Sequence, residues 1–149
     1  MSVDKIVLPW PSNVLSPNAR PGWREKALHT GKYRDLAWRC ALSEGPKKPE
    51  HEVCAVYVYM SFISKTDARR DKDNCQAMMK SALDGIADAY GIDDSLFHPE
   101  SYILPKDKER PRVEIELAFL DEEQAGLMKK FSEIKWAIDK IDEVKRILG

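Results

Sequence analysis

Residues 52–63 place the tightest constraint on the fold, because side chains of both parities are apolar. Cys54, Val56, Val58, Met60 and Phe62 fall on one face of an extended strand, and Val53, Ala55, Tyr57 and Tyr59 on the other. Successive strand residues point to opposite faces, so a strand apolar on both is covered on both and sits inside a sheet. Residues 112–120 alternate differently. Val113, Ile115, Leu117 and Phe119 share one face while Glu114 and Glu116 share the other, the pattern of a strand with one dry and one wet side. Residues 5–8 and 101–104 read as two further short strands.

Between the strands the period changes. Residues 29–42 predict a helix with Tyr33, Ala37, Cys40 and Ala41 inward, stopped at Gly45-Pro46. Residues 73–90 predict a second, with Cys75, Met79, Ala82 or Leu83, Ile86 and Tyr90 as its apolar stripe and Gly91 as its C-cap. Pro9, Pro11, Pro17, Pro21 and Gly22 make residues 9–22 an extended loop, and residues 64–72 form a charged one. The order strand, helix, strand, helix, strand, strand predicts an α+β fold: a small single domain over residues 1–120, with a mixed β-sheet packed with helices. Residues 121–149 extend it as a long C-terminal amphipathic helix. There Leu127, Phe131, Ile134, Ile138, Ile141 and Leu148 alternate spacings of four and three, with Lys145 in one seam position. Such a stripe packs on its own domain or meets a second copy or another partner.

Composition agrees with this frame. A chain of 149 residues suits one domain, and 43% hydrophobic residues supply a core. The longest apolar run, residues 53–63, is far short of the ~20 residues of a membrane span. The start carries Asp4 and Lys5 and no apolar leader, so the expectation is a cytoplasmic protein with no membrane partner. Cys40, Cys54 and Cys75 lack CxxC spacing, which favours reduced, buried thiols over a zinc site or disulfides. A net charge of −1 does not by itself suggest a nucleic-acid partner. The distribution does more: residues 1–48 hold nine Lys/Arg against four acids, whereas residues 84–101 hold five acids and no Lys or Arg. A basic arm beside an acidic pocket suits a metal-dependent phosphodiesterase, one part attracting the backbone and the other holding a cation.

The chemistry concentrates at Arg69-Arg70-Asp71-Lys72-Asp73-Asn74. Two carboxylates two residues apart at a loop-to-helix junction can converge on one hard cation such as Mg²⁺, which takes oxygen ligands plus waters and phosphate. The same position suits a helix cap, since free N–H groups at a helix start bind any anionic oxygen. At ~100° per residue, Lys80 and Asp84 fall on the Asp73 side of the helix. That lysine is either a surface ion pair or an anchor for phosphate charge beside a metal. Asp93-Asp94-Ser95 lies past the helix end, and spacing alone makes it a turn as readily as part of a site. His98, four residues beyond Asp94, reads as exposed. The GxxxxGK[ST], HExxH and GxSxG motifs are absent from the sequence.

Three blocks in order resemble the RusA-type Holliday-junction resolvases and their phage relatives. The first is Leu8-Pro9-Trp10-Pro11, followed by Leu15-Ser16-Pro17-Asn18-Ala19-Arg20 and Trp23. The second is Arg70-Asp71-Lys72-Asp73-Asn74 leading to Lys80, Leu83 and Asp84, and the third is Gly91-Ile92-Asp93-Asp94-Ser95. The resemblance covers roughly residues 5–120 and implies a Mg²⁺-dependent homodimer, with Mn²⁺ as a substitute, that nicks opposing strands of four-way DNA junctions. Matched by position, its essential aspartates fall on Asp71, Asp73 and, from the Asp93-Asp94 pair, Asp94, and its helix lysine on Lys80. The pattern departs at Ala77, where the family's lysine usually stands; Lys80 keeps the spacing to Asp84. Asn18, Arg20, Trp23, Arg69, Arg70, Lys72 and Asn74 would contact DNA. Two other readings remain at this stage: a catalytically silent branched-DNA-binding protein of the same fold, and a Mg²⁺ phosphoesterase acting on another substrate.

Overall fold

The computed structural model describes residues 2–44 and 52–149. Strand β1 (Ser2–Pro9) leads through a 3₁₀ turn at Asn13–Leu15 to helix α1 (Trp23–Ser43). Strand β2 (Ala55–Ile63), helices α2 (Lys72–Met78) and α3 (Lys80–Tyr90), and a 3₁₀ turn at Asp94–Leu96 follow. Strands β3 (Phe97–Ile103) and β4 (Arg112–Leu120) and helix α4 (Glu122–Leu148) complete the α+β architecture. The sheet order is β1-β4-β2-β3. β2 is internal, as its two apolar faces require, pairing antiparallel with β4 and parallel with β3. The parallel pair is what makes the sheet mixed, and α2 and α3 form the crossover it needs.

One face of the sheet carries the core. Ile6 and Leu8 of β1, the even-numbered residues of β2 and the odd-numbered residues of β4 pack against Tyr33, Ala37 and Ala41 of α1 and Met79, Ala82, Ile86 and Tyr90 of α3. Each large apolar side chain so buried contributes roughly 1.5–3 kcal/mol. The other face, with Lys5, Tyr57, Tyr59, Glu114 and Glu116, stays partly wet. His98 is exposed there, its ring stacked on Tyr57 with centroids 4.9 Å apart.

Several boundaries differ from expectation, each for a local reason. α1 begins at Trp23 rather than residue 29, because its first two turns are exposed and carry no apolar period to read. Its expected stop at Gly45-Pro46 lies outside the described residues. Cys40 and Cys54 are only half-buried, whereas Cys75 is buried; all three are free thiols. The single helix expected over 73–90 is broken at Met79, whose N–H donates to the Gln76 carbonyl in an i→i+3 turn. Gly91 closes α3 in the left-handed conformation, φ 65°, a position a side chain would strain. α3 also crosses α1 closely at Gly85, where a Cβ would overlap the carbonyl oxygen of Arg34.

Candidate functional site

The crossover from β2 to β3 gathers the acids. Asp73 in the first turn of α2, Lys80 and Asp84 on α3, and Asp94 in the turn before β3 line one cleft of about 340 Å³, with Gln76 and Phe97 among its walls. The break at Met79 does not scatter Asp73, Lys80 and Asp84. One 3₁₀ step turns the chain by ~120° instead of ~100°, so the phase error is small. Asp94 gets there because Gly91 reverses the chain within ten residues of Asp84. Asp93 meanwhile caps the 3₁₀ turn, accepting the Ser95 N–H at 2.9 Å. That backbone bond is the main reason its carboxyl is held below the usual range.

Asp84 and Asp94 are neighbours in this cleft. Burial, and then the neighbouring Asp94 carboxyl, raise the Asp84 carboxyl above the ordinary carboxylate range, with Lys80 opposing. Lys80 stands 3.9 Å from Asp84, with its side chain 80% exposed. An ion pair so open contributes little to stability, which leaves the ammonium available to an incoming anion. Arg34, paired with Asp88, borders the adjoining recess with Asp93 and Asp94.

Among the described residues, no three His, Cys, Asp or Glu side chains form a ready-made metal cluster. The donors present nevertheless suit Mg²⁺, which keeps several waters and is held by one or two carboxylates. Asp73, Asp84 and Asp94 line the same cleft, and all are hard oxygen donors.

The remaining sequence-predicted residues divide. Asp71 is exposed and caps α2: its Oδ1 accepts the N–H groups of Asp73 at 2.8 Å and Asn74 at 3.3 Å, and it does not line the cleft. Arg70 turns to a separate recess, its guanidinium 5.4 Å from the Trp10 ring centroid and bonded to Thr66. Arg69 and Lys72 are exposed and Asn74 is half-buried; none lines the acidic cleft. The arm comes closer. Residues 14–17, Ala19 and Pro21, with Lys26 and Thr30 of α1, wall a groove of about 380 Å³ that shares Ala77, Lys80 and Asp84 with the cleft. Asn18 and Arg20 do not line it and are exposed, and Trp23 is 76% exposed with Arg24 5.2 Å from its ring centroid. The sequence reading placed Asp84 on the right face without recognising it as the partner of Asp94. It missed Gln76 and Lys26, for which no motif gives a signal.

No family model matches the chain. An uncharacterized protein of Xylella fastidiosa (strain Temecula1) is 40% identical over 102 residues, which span 65% of this chain and 65% of that protein. The periplasmic domain of Helicobacter pylori MotB, covered to 97% and covering 89% of this chain, is 14% identical with a TM-score of 0.35, too slight a likeness to bear on fold or function. Among the described residues no helix is long and apolar enough to cross a membrane.

Proposed function

We propose that the protein is a Mg²⁺-dependent, structure-selective DNA endonuclease of the RusA type that resolves four-way junctions by paired nicking in the cytoplasm. The observation that carries this reading is the gathering of Asp73, Asp84, Asp94 and Lys80 around one cleft. When bound, Mg²⁺ would supply a water of lowered pKa and neutralise charge on the leaving oxygen. Asp84 and Asp94 would hold it, with Asp73 reaching it directly or through a water. Lys80 faces the cleft, where its ammonium would offset charge gathering on the scissile phosphate. Lys26 lines the adjoining groove, and with the exposed Arg20, Arg24 and Trp23 it would meet a flanking strand, the cations on phosphates and the indole against a base.

This ligand set differs from the one the resemblance implies. Asp84 takes a place in it, and Asp71 supports Asp73 through the helix cap. The cap role favours one competing reading, a branched-DNA-binding protein that does not cut.

Cleavage of a labelled four-way junction, a linear duplex and a phosphomonoester, each with Mg²⁺, Mn²⁺ or EDTA, tests the proposal. Symmetric nicking of the junction alone is expected, abolished by EDTA. Asp94→Asn should slow it roughly 10²-fold or more while junction binding persists. Junction binding without cleavage in any divalent metal establishes the silent reading. Turnover of the phosphomonoester alone moves the site to another substrate class.

A further inference from the structure

From Lys129 to Gly149 every residue of the chain is exposed. Phe131, Ile134, Ile138, Ile141 and Leu148 are between 52% and 82% exposed, yet they form one continuous stripe along α4. Helices draw most of their stability from packing an apolar face, and this face has nothing of its own body against it. The first turns of α4 do sit on the body, with Met128 beside Val3, Tyr57 and Tyr59 of the open sheet face. Beyond them the helix leaves the domain. The outer side of the helix is already engaged locally: Lys140 pairs with Glu143 at 3.3 Å and stands over Trp136. The stripe is therefore the unpartnered side.

We propose that α4 self-associates with a second copy of this chain as an antiparallel two-stranded coiled coil. Charge placement selects both the partner and the direction. With Phe131, Ile138 and Lys145 at a and Ile134, Ile141 and Leu148 at d, the flanking positions hold Lys130, Ala137 and Val144 on one side and Lys135, Asp142 and Gly149 on the other. A parallel, in-register pair sets Lys145 against Lys145 in the seam and Lys130 against Lys135 along its edge. An antiparallel pair centred between Ile138 and Ile141 sets these two residues against each other twice. It places Phe131 opposite Leu148 and brings Lys135 to Asp142 on the partner, also twice. Lys145 then faces Ile134 and can run its methylenes along it while its ammonium reaches water. The overlap, residues 131–148 of both copies, is roughly 27 Å long. It leaves the two bodies at opposite ends, clear of each other. This inference does not rest on the nuclease reading.

Sedimentation equilibrium and light scattering of the full chain test it, with circular dichroism confirming that each variant is folded. The unaltered protein should be a dimer at micromolar concentration, Ile138→Lys a monomer, and Trp136→Lys, on the outer side, still a dimer. Lys135→Asp should weaken association roughly tenfold, and adding Asp142→Lys to it should restore most of the loss. A monomeric unaltered chain, or a dimer that survives Ile138→Lys, overturns the proposal. Tighter association in Lys135→Asp overturns the antiparallel arrangement, because only a parallel pair gains from removing the Lys130–Lys135 contact.

Discussion

Helices α3 and α4 are both amphipathic, and the molecule treats them differently. On α3 the apolar side disappears: Ala82 and Ile86 are fully buried, Ala87 and Tyr90 nearly so, against α1 and the sheet. On α4 no residue is buried, although its stripe is longer and its side chains are bulkier. Periodicity thus announces that a helix has a face to cover, and it does not say with what. α3 is bounded by β2 and β3 and is forced onto the sheet by the parallel crossover. α4 follows the last strand and is tied only at its start, where Asp121 and Gln124 form a reciprocal capping box.

The contrast can be broken most directly by the same truncation in both helices. Ile86→Ala should cost about 2–5 kcal/mol of unfolding free energy, the usual range for emptying a fully buried site. Ile138→Ala, measured by urea denaturation under conditions where the chain is monomeric, should stay within about 0.5 kcal/mol. A large loss from Ile138→Ala in the monomer would mean that α4 folds back on its own body. Gly85→Ala probes the α1–α3 crossing, where the added methyl meets the Arg34 carbonyl. It should cost about 1–3 kcal/mol through overpacking and disturb the Arg34–Asp88 pair beside the cleft. Asp121→Ala removes the α4 cap for about 1 kcal/mol. It should appear as faster amide exchange in the first turns of α4 and not in α3.

The two inner strands were legible because burial writes itself into strands directly, whereas the outer strands, expected over residues 5–8 and 101–104, run over Ser2–Pro9 and Phe97–Ile103. The one-sided alternation of residues 112–120 gave β4 its true bounds, and the two-sided pattern of residues 52–63 gave β2 its central place. Helix α3 was legible through Met79, Ile86 and Tyr90 and its glycine cap, but the interruption at Met79 was not, since the sequence there keeps good helix formers. The site was half legible. Phase put Asp73, Lys80 and Asp84 together, and that survived a single 3₁₀ step. Asp71 could not be resolved from sequence, because a cap and a metal ligand ask for the same side chain at the same place. Asp94 depended on how the chain leaves Gly91, which is a question of path rather than of residue type. The opening block around Trp10 has a structural part as well. Pro9 offers its carbonyl to the Tyr33 hydroxyl at 2.9 Å, and Trp10 packs edge-on to Phe62.

The left-handed turn at Gly91 has one more consequence. Asp84 and Asp94 are ten residues apart, and everything else lining the acidic cleft lies between residues 73 and 99. The site is thus a cassette, written in one contiguous stretch and brought together by a short loop closure with a small entropic cost. Changes to the arm, to β1 or to α4 can alter what reaches the carboxylates without altering how they meet. A protein built this way can change its clientele at its periphery while its chemistry stays in place.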